Sequence, residues 1–124
     1  MNNHVENSNL SGDIDPLFLS RLEDLGGTKL ASELVNMYLI RGSQLLDAIS
    51  EGLKAKDSAA VKNAAHSLIS SAGNLGGKKV SNLAKQIETA AIEEHLDQIH
   101  TLLADLSSTQ EAFQKYLRGA IGNI

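Results

Sequence analysis

Val61, Ala65, Leu68, Ala72 and Leu75 recur at spacings of four, three, four and three, which is one face of an α-helix and not the alternation of a strand. Asp57 stands where a side chain can cap the first turn, and Gly76-Gly77 closes the other end, where a left-handed residue is needed. A second stripe follows at helical spacing, Val80, Leu83, Ala84, Ile87 and Ala91, so the pair predicts a helical hairpin. Upstream, Leu30, Leu34, Val35, Met37, Tyr38, Leu39, Leu45, Leu46, Ile49 and Leu53 predict a long helix over residues 29–54, with Thr28 as its cap. Gly42 falls inside it and costs about 1 kcal/mol relative to alanine unless close packing or a bend requires it. Asp15-Pro16 opens a short leading helix over residues 16–25 that ends at Gly26-Gly27; its Leu17, Phe18 and Leu25 could serve either the core or a partner, and the core is the preferred place. After a turn at residues 92–94, a last helix carries Leu96, Ile99, Leu102, Leu103, Leu106, Phe113, Tyr116 and Leu117. Ser107-Ser108 marks a place for it to bend, and residues 119–124 are expected to fray. The fold expected is all-α, an antiparallel up-and-down four-helix bundle with a short extra N-terminal helix.

Residues 1–12 are polar, lack periodicity and are read as a disordered tail; residues 13–124 form one domain. With 124 residues and 42% hydrophobic content, the chain supports one core and is too small for a receptor or kinase. It has no cysteine, hence no disulfide or thiolate chemistry, which fits a reducing cytoplasm. A net charge of −4 without a basic cluster, and only 3% aromatics, argue against nucleic-acid binding. No stretch reads as a signal peptide or a membrane span, so a soluble, cytoplasmic protein is expected. An acidic bundle whose stripes are already buried is most simply a monomer. Metal binding is not expected: His4 lies alone in the tail, and His95 and His100, five apart, do not share a helix face.

His66 is the residue that the stripes do not explain. At about 100° per residue it lies roughly 140° from the centre of its stripe and points outward. Lys62, Ser70 and Gly73 share its sector, and Ser67, Ser70, Ser71, Ala72 and Gly73 make a surface of small residues that lets another protein approach the imidazole. Ten residues separate His66 from Gly76, about 15 Å of helix, so the returning helix regains that level near Lys85 to Glu88. Glu88 sits on the flank of its own stripe, where its carboxylate can lean across.

Ala65-His66-Ser67-Leu68 with small residues after it, then Asn74-Leu75-Gly76, Leu83 and Ile87-Glu88, resembles the signature of histidine-containing phosphotransfer (HPt) domains, roughly A-H-x-L-K-G-x-x-x-x-L-G with a glutamine or glutamate one helix later. The resemblance covers residues 15–118. It implies that His66 carries a phosphoryl group and that Glu88 orients the ring through one nitrogen, leaving the other free to attack. Ile69 and Ser70 stand where the family has lysine and glycine. Lys62 and Lys85 are the nearest cations to neutralise phosphate and partner in their place, and Ser67, Ile69, Ser70 and Gly73 form the expected docking surface.

On this reading the chain takes a phosphoryl group from a receiver-domain phospho-aspartate and passes it to another receiver. The resemblance implies no cofactor of its own, with Mg²⁺ on the receiver, and no autokinase or phosphatase activity. The expected partners are receiver domains of response regulators or hybrid sensor kinases. A first methionine and no kinase region suggest a free-standing shuttle, although a piece of a larger hybrid kinase would read the same. The alternative is an HPt-like module that docks receivers or other signalling proteins without carrying phosphate. An enzyme with its own active site is disfavoured, for want of a phosphate-cradling glycine loop, a nucleophile elbow or a metal-ligand cluster.

Overall fold

A computed structural model describes residues 14–15 and 17–122. Four helices follow in order: α1 (Phe18–Lys54), α2 (Ser58–Gly73), α3 (Lys78–Ile92) and α4 (Leu96–Gly122). The expected polar tail, Pro16 and the last two residues lie outside the described residues. The all-α bundle expected from the periodicity is the observed architecture.

The leading helix and the long helix are one element with a break inside it. Gly27 has φ 80° and ψ 179°, a conformation no helix contains and that a side chain resists, so the chain changes direction there and resumes. Two core assignments in this region are overturned. Leu17 is 57% and Leu25 82% exposed, while Leu19 is buried and Leu22 packs on the core. The reason lies just upstream. The Asp15 N–H donates to the Gly76 carbonyl at 2.7 Å, Ile14 bridges Gly77, and the Leu17 N–H donates to the Asp15 carboxylate at 3.0 Å. With the chain pinned there, the first turn presents Leu19 inward. Met37 is also outside the core, 64% exposed, because the buried face of α1 is the run Val35, Tyr38, Gly42, Leu45, Ile49 and Gly52.

Asp57 caps α2 as expected, its carboxylate accepting the Ala60 N–H at 3.0 Å. The turn from α2 to α3 needs φ 81° at Gly76 and a close approach at Gly77, where a Cβ would lie 2.6 Å from the Phe113 ring. Gly42 has a packing reason too. A Cβ there would meet Gln110 Nε2 and the Tyr38 ring, each at 2.8 Å. Around it lies a small polar island in the core. The Tyr38 hydroxyl donates to Gln110 Oε1, Tyr38 packs edge-on to Phe113 with centroids 5.3 Å apart, and Gln110 Nε2 is buried without a hydrogen-bond partner among the described residues. Burial pushes the Tyr38 phenol well above its ordinary range.

α4 is one continuous helix through Ser107 and Ser108 and reaches Gly122, with no break at the serine pair; the last two residues of the segment expected to fray lie outside the described residues. Phe113, Leu106, Ile99 and Leu117 hold it to the core, and the Ser108 hydroxyl donates back to the Asp105 carbonyl at 3.1 Å. Among the described residues, no helix is long and apolar enough to cross a membrane.

Candidate functional site

α2 buries Val61, Ala64, Ala65, Leu68 and Ala72, which fixes its rotation about its own axis. His66 is thereby turned to the surface, its side chain 74% exposed. α3 is fixed in the same way by Val80, Leu83, Ala84, Ile87, Ala90 and Ala91. That leaves Glu88 on the flank facing α2, its side chain only 23% exposed. His66 Nδ1 and Glu88 Oε2 are 2.6 Å apart, a charge-assisted hydrogen-bond distance. The hairpin arithmetic from Gly76 therefore located a contact that the structure contains.

A carboxylate only accepts, so the neutral ring holds its proton on Nδ1 and donates it to Glu88. The lone pair is then on Nε2, the nitrogen further from the carboxylate. The arrangement presents one oriented, basic nitrogen on a rigid helix, while the second nitrogen is committed to its partner.

The other predicted residues distribute unevenly around this pair. Ser70 and Gly73 are exposed, Ser67 is half-buried, and the Ser70 hydroxyl donates to the Ser67 carbonyl at 3.4 Å. Ile69 is half-buried and packs against the core, so its side chain gives less of itself to the surface than its place in the sequence suggests. Its carbonyl accepts the Ser81 hydroxyl at 2.9 Å. Lys62 lies one turn before His66, and Lys85 one turn before Glu88 on the exposed side of α3. Neither amine forms an ion pair or hydrogen bond among the described residues. Lys85 also lines a surface groove with Gln86, Thr89, Glu93 and Gln98. His95 is occupied differently, 3.5 Å from the Glu93 carboxylate in the turn between α3 and α4. Among the described residues no group of three His, Asp or Glu side chains is placed to hold a metal ion.

One surface feature was missed in the sequence. Leu34, Met37, Tyr38 and Arg41 of α1, with Ser71, Asn74 and Leu75 of α2, line an open groove of about 380 Å³. Met37 and Ile40 are each 64% exposed. The signal was present: Met37 and Ile40 are three apart but fall off the buried run of α1, so the apolar positions of this helix span more than one face.

No curated protein matches the chain. Among solved structures, the chain is similar to the crystal structure of histidine-containing phosphotransfer protein B (HptB) from Pseudomonas aeruginosa PAO1. The TM-score is 0.85, with 90% of this chain and 96% of that chain covered and 17% of residues identical, a likeness of fold. The family model of the Hpt domain matches residues 33–114, a stretch that contains both His66 and Glu88. An exposed histidine held by a carboxylate on the neighbouring helix, in a bundle of this fold and under a match over more than half of its length, leads to one assignment: the chain belongs to the Hpt domain family, the phosphotransfer modules of two-component signalling.

Proposed function

We propose that this protein is a phosphorelay intermediate in which His66 Nε2 accepts a phosphoryl group from the phospho-aspartate of one receiver domain and delivers it to the aspartate of another. Hpt proteins interact with receiver domains in phosphorelays, so partners of this class follow from the family. The observation that carries the reading is the 2.6 Å contact of His66 Nδ1 with Glu88 on a ring that is 74% exposed. In the transfer, the Nε2 lone pair forms the N–P bond as the P–O bond to aspartate breaks and the carboxylate is restored. The return step reverses this on a second receiver. Such chemistry depends on positioning and charge neutralisation more than on covalent assistance, so an oriented imidazole on a rigid helix is sufficient from this side. The receiver brings Mg²⁺. Lys62 and Lys85, without ion pairs among the described residues, neutralise the phosphoryl oxygens or the acidic pocket that brings them, and Ser67, Ile69, Ser70 and Gly73 form the docking surface. The chain has no autokinase or phosphatase activity of its own in this reading and works as a cytoplasmic monomer.

The test is phosphorylation of the purified protein by a phosphorylated receiver domain, comparing wild type with His66→Gln. Acid-labile, alkali-stable phosphate that requires His66 is the expected result. Absence of label, with receivers that do charge other Hpt domains, would overturn the proposal.

A second reading, a module that docks receivers without transferring phosphate, draws on Ile69. An apolar side chain packed on the core occupies the turn where the family signature has a lysine. Under that reading His66→Gln changes neither binding nor phosphate content, whereas the relay predicts lost transfer with binding spared.

A further inference from the structure

Between α2 and α3 the His66 ring donates to the Glu88 carboxylate at 2.6 Å, and the Ser81 hydroxyl donates to the Ile69 carbonyl at 2.9 Å. Ser81, Ala84, Glu88 and Ala91 follow one another on α3 at spacings of three, four and three, so all four share one flank. On α2, Ala65, Ile69 and Ala72 repeat in the same way beside His66. The alanines of both stripes are at most 2% exposed. Small side chains let two helices approach closely but interlock little, so they set the distance between the axes better than the sliding of one along the other. A directional bond to a fixed backbone oxygen supplies what they lack. Ile69 lies one turn beyond His66 and Ser81 two turns before Glu88, so this bond sits between the hairpin turn and the functional pair.

We infer that Ser81 is a positioning residue: by holding α3 to the Ile69 carbonyl it sets the axial register that brings Glu88 onto His66 Nδ1, and so fixes the imidazole tautomer. The functional consequence rests on the phosphotransfer reading; the positional one does not. Ser81 touches no reacting atom and acts through Glu88. Gly73 lies opposite, where a Cβ would be 3.6 Å from the Ser81 hydroxyl, so the facing helix brings no side chain of its own against this position from Gly73.

The experiment compares wild type with Ser81→Ala, Ser81→Thr and Ser81→Val in the full chain. The last two are nearly the same shape and differ in the hydroxyl. The first readout is the ¹⁵N spectrum of the His66 ring, which reports the proton on Nδ1 or Nε2; the second is the rate of phosphoryl transfer from a phosphorylated receiver; circular dichroism monitors the fold. The Nδ1–H form is expected to dominate in wild type and Ser81→Thr and to give way to a mixture in Ser81→Ala and Ser81→Val. Loss of one hydrogen bond of ordinary net strength predicts transfer slowed roughly three- to tenfold in the variants without the hydroxyl. A wild-type tautomer in both Ser81→Ala and Ser81→Val would overturn the inference, as would a mixture in Ser81→Thr equal to that in Ser81→Val. If wild type itself accepts no phosphate, the relay reading fails while the ring spectra still decide the role of Ser81.

Discussion

Glu88 has two separable properties, a charge and an acceptor oxygen, and the geometry at His66 uses the oxygen to fix the ring. Glu88→Gln keeps an oxygen able to accept the Nδ1 proton, so it is expected to retain most of the transfer rate. Glu88→Ala leaves the imidazole free to choose its tautomer and rotamer, and the loss of a charge-assisted bond predicts a fall of roughly tenfold or more. Stopped-flow transfer from a phosphorylated receiver measures both; equal rates for the two variants would remove the orienting role. Lys62 and Lys85 make a second prediction at this scale. Neither amine has an ion pair or hydrogen bond among the described residues, so Lys62→Ala and Lys85→Ala are expected to slow transfer while leaving the unfolding midpoint unchanged, and unaltered kinetics in both would mean that charge is supplied wholly by the receiver. His66 and Glu88 were legible in the sequence because their positions depend only on helical spacing and a turn of known place. The bond of Ser81 to Ile69 was not, because a serine that donates to the backbone of a neighbouring helix leaves no periodic mark.

Within the helices, the glycines of α1 and α2 separate two effects that helix propensity alone would merge. Gly42→Ala gains about 1 kcal/mol in propensity. It also forces a Cβ to within 2.8 Å of both Gln110 Nε2 and the Tyr38 ring, two buried side chains. Overpacking of this kind costs about 1–3 kcal/mol, so the expected net effect is destabilisation, seen as a lower midpoint in urea. Gly73→Ala meets only the ordinary contact with Ser81 at 3.6 Å and is expected to stabilise by about 0.5 kcal/mol. A stabilised Gly42→Ala would show that the polar island around Tyr38 is loosely packed. The same helix shows the limit of periodicity. The existence and length of α1 follow from its apolar repeats, but Leu17, Leu25 and Met37 are as apolar as their buried neighbours; Leu17 faces solvent beside the tie at Ile14 and Asp15, and Met37 because it falls off the buried run of the helix.

At the scale of the whole molecule, the incoming chain is tied to the far side of the hairpin that carries the site. Ile14 is buried and bridged to Gly77, the Asp15 N–H bonds the Gly76 carbonyl, and Arg21 reaches the Asp15 carboxylate at 3.1 Å. This staple joins the start of α1 to the turn between α2 and α3, so it closes one end of the bundle. Its charge makes it dependent on pH. The Leu17 N–H, followed by Arg21 and Lys78, holds the Asp15 carboxyl below its ordinary value of 3.8. A carboxyl whose folded value is depressed stabilises the fold fully above its unfolded value, and that contribution is lost as pH falls through the folded one. Wild type is therefore expected to be more stable than Asp15→Asn near neutral pH. The difference should hold down to the ordinary carboxylate range and close below it, as the folded carboxyl takes up its proton. Thermal unfolding of both proteins from neutral pH to well below 3.8 measures this directly. A gap that stays constant through the acid range would mean that the staple is held by Ile14 and the backbone bonds, and that the Asp15 charge adds nothing to it.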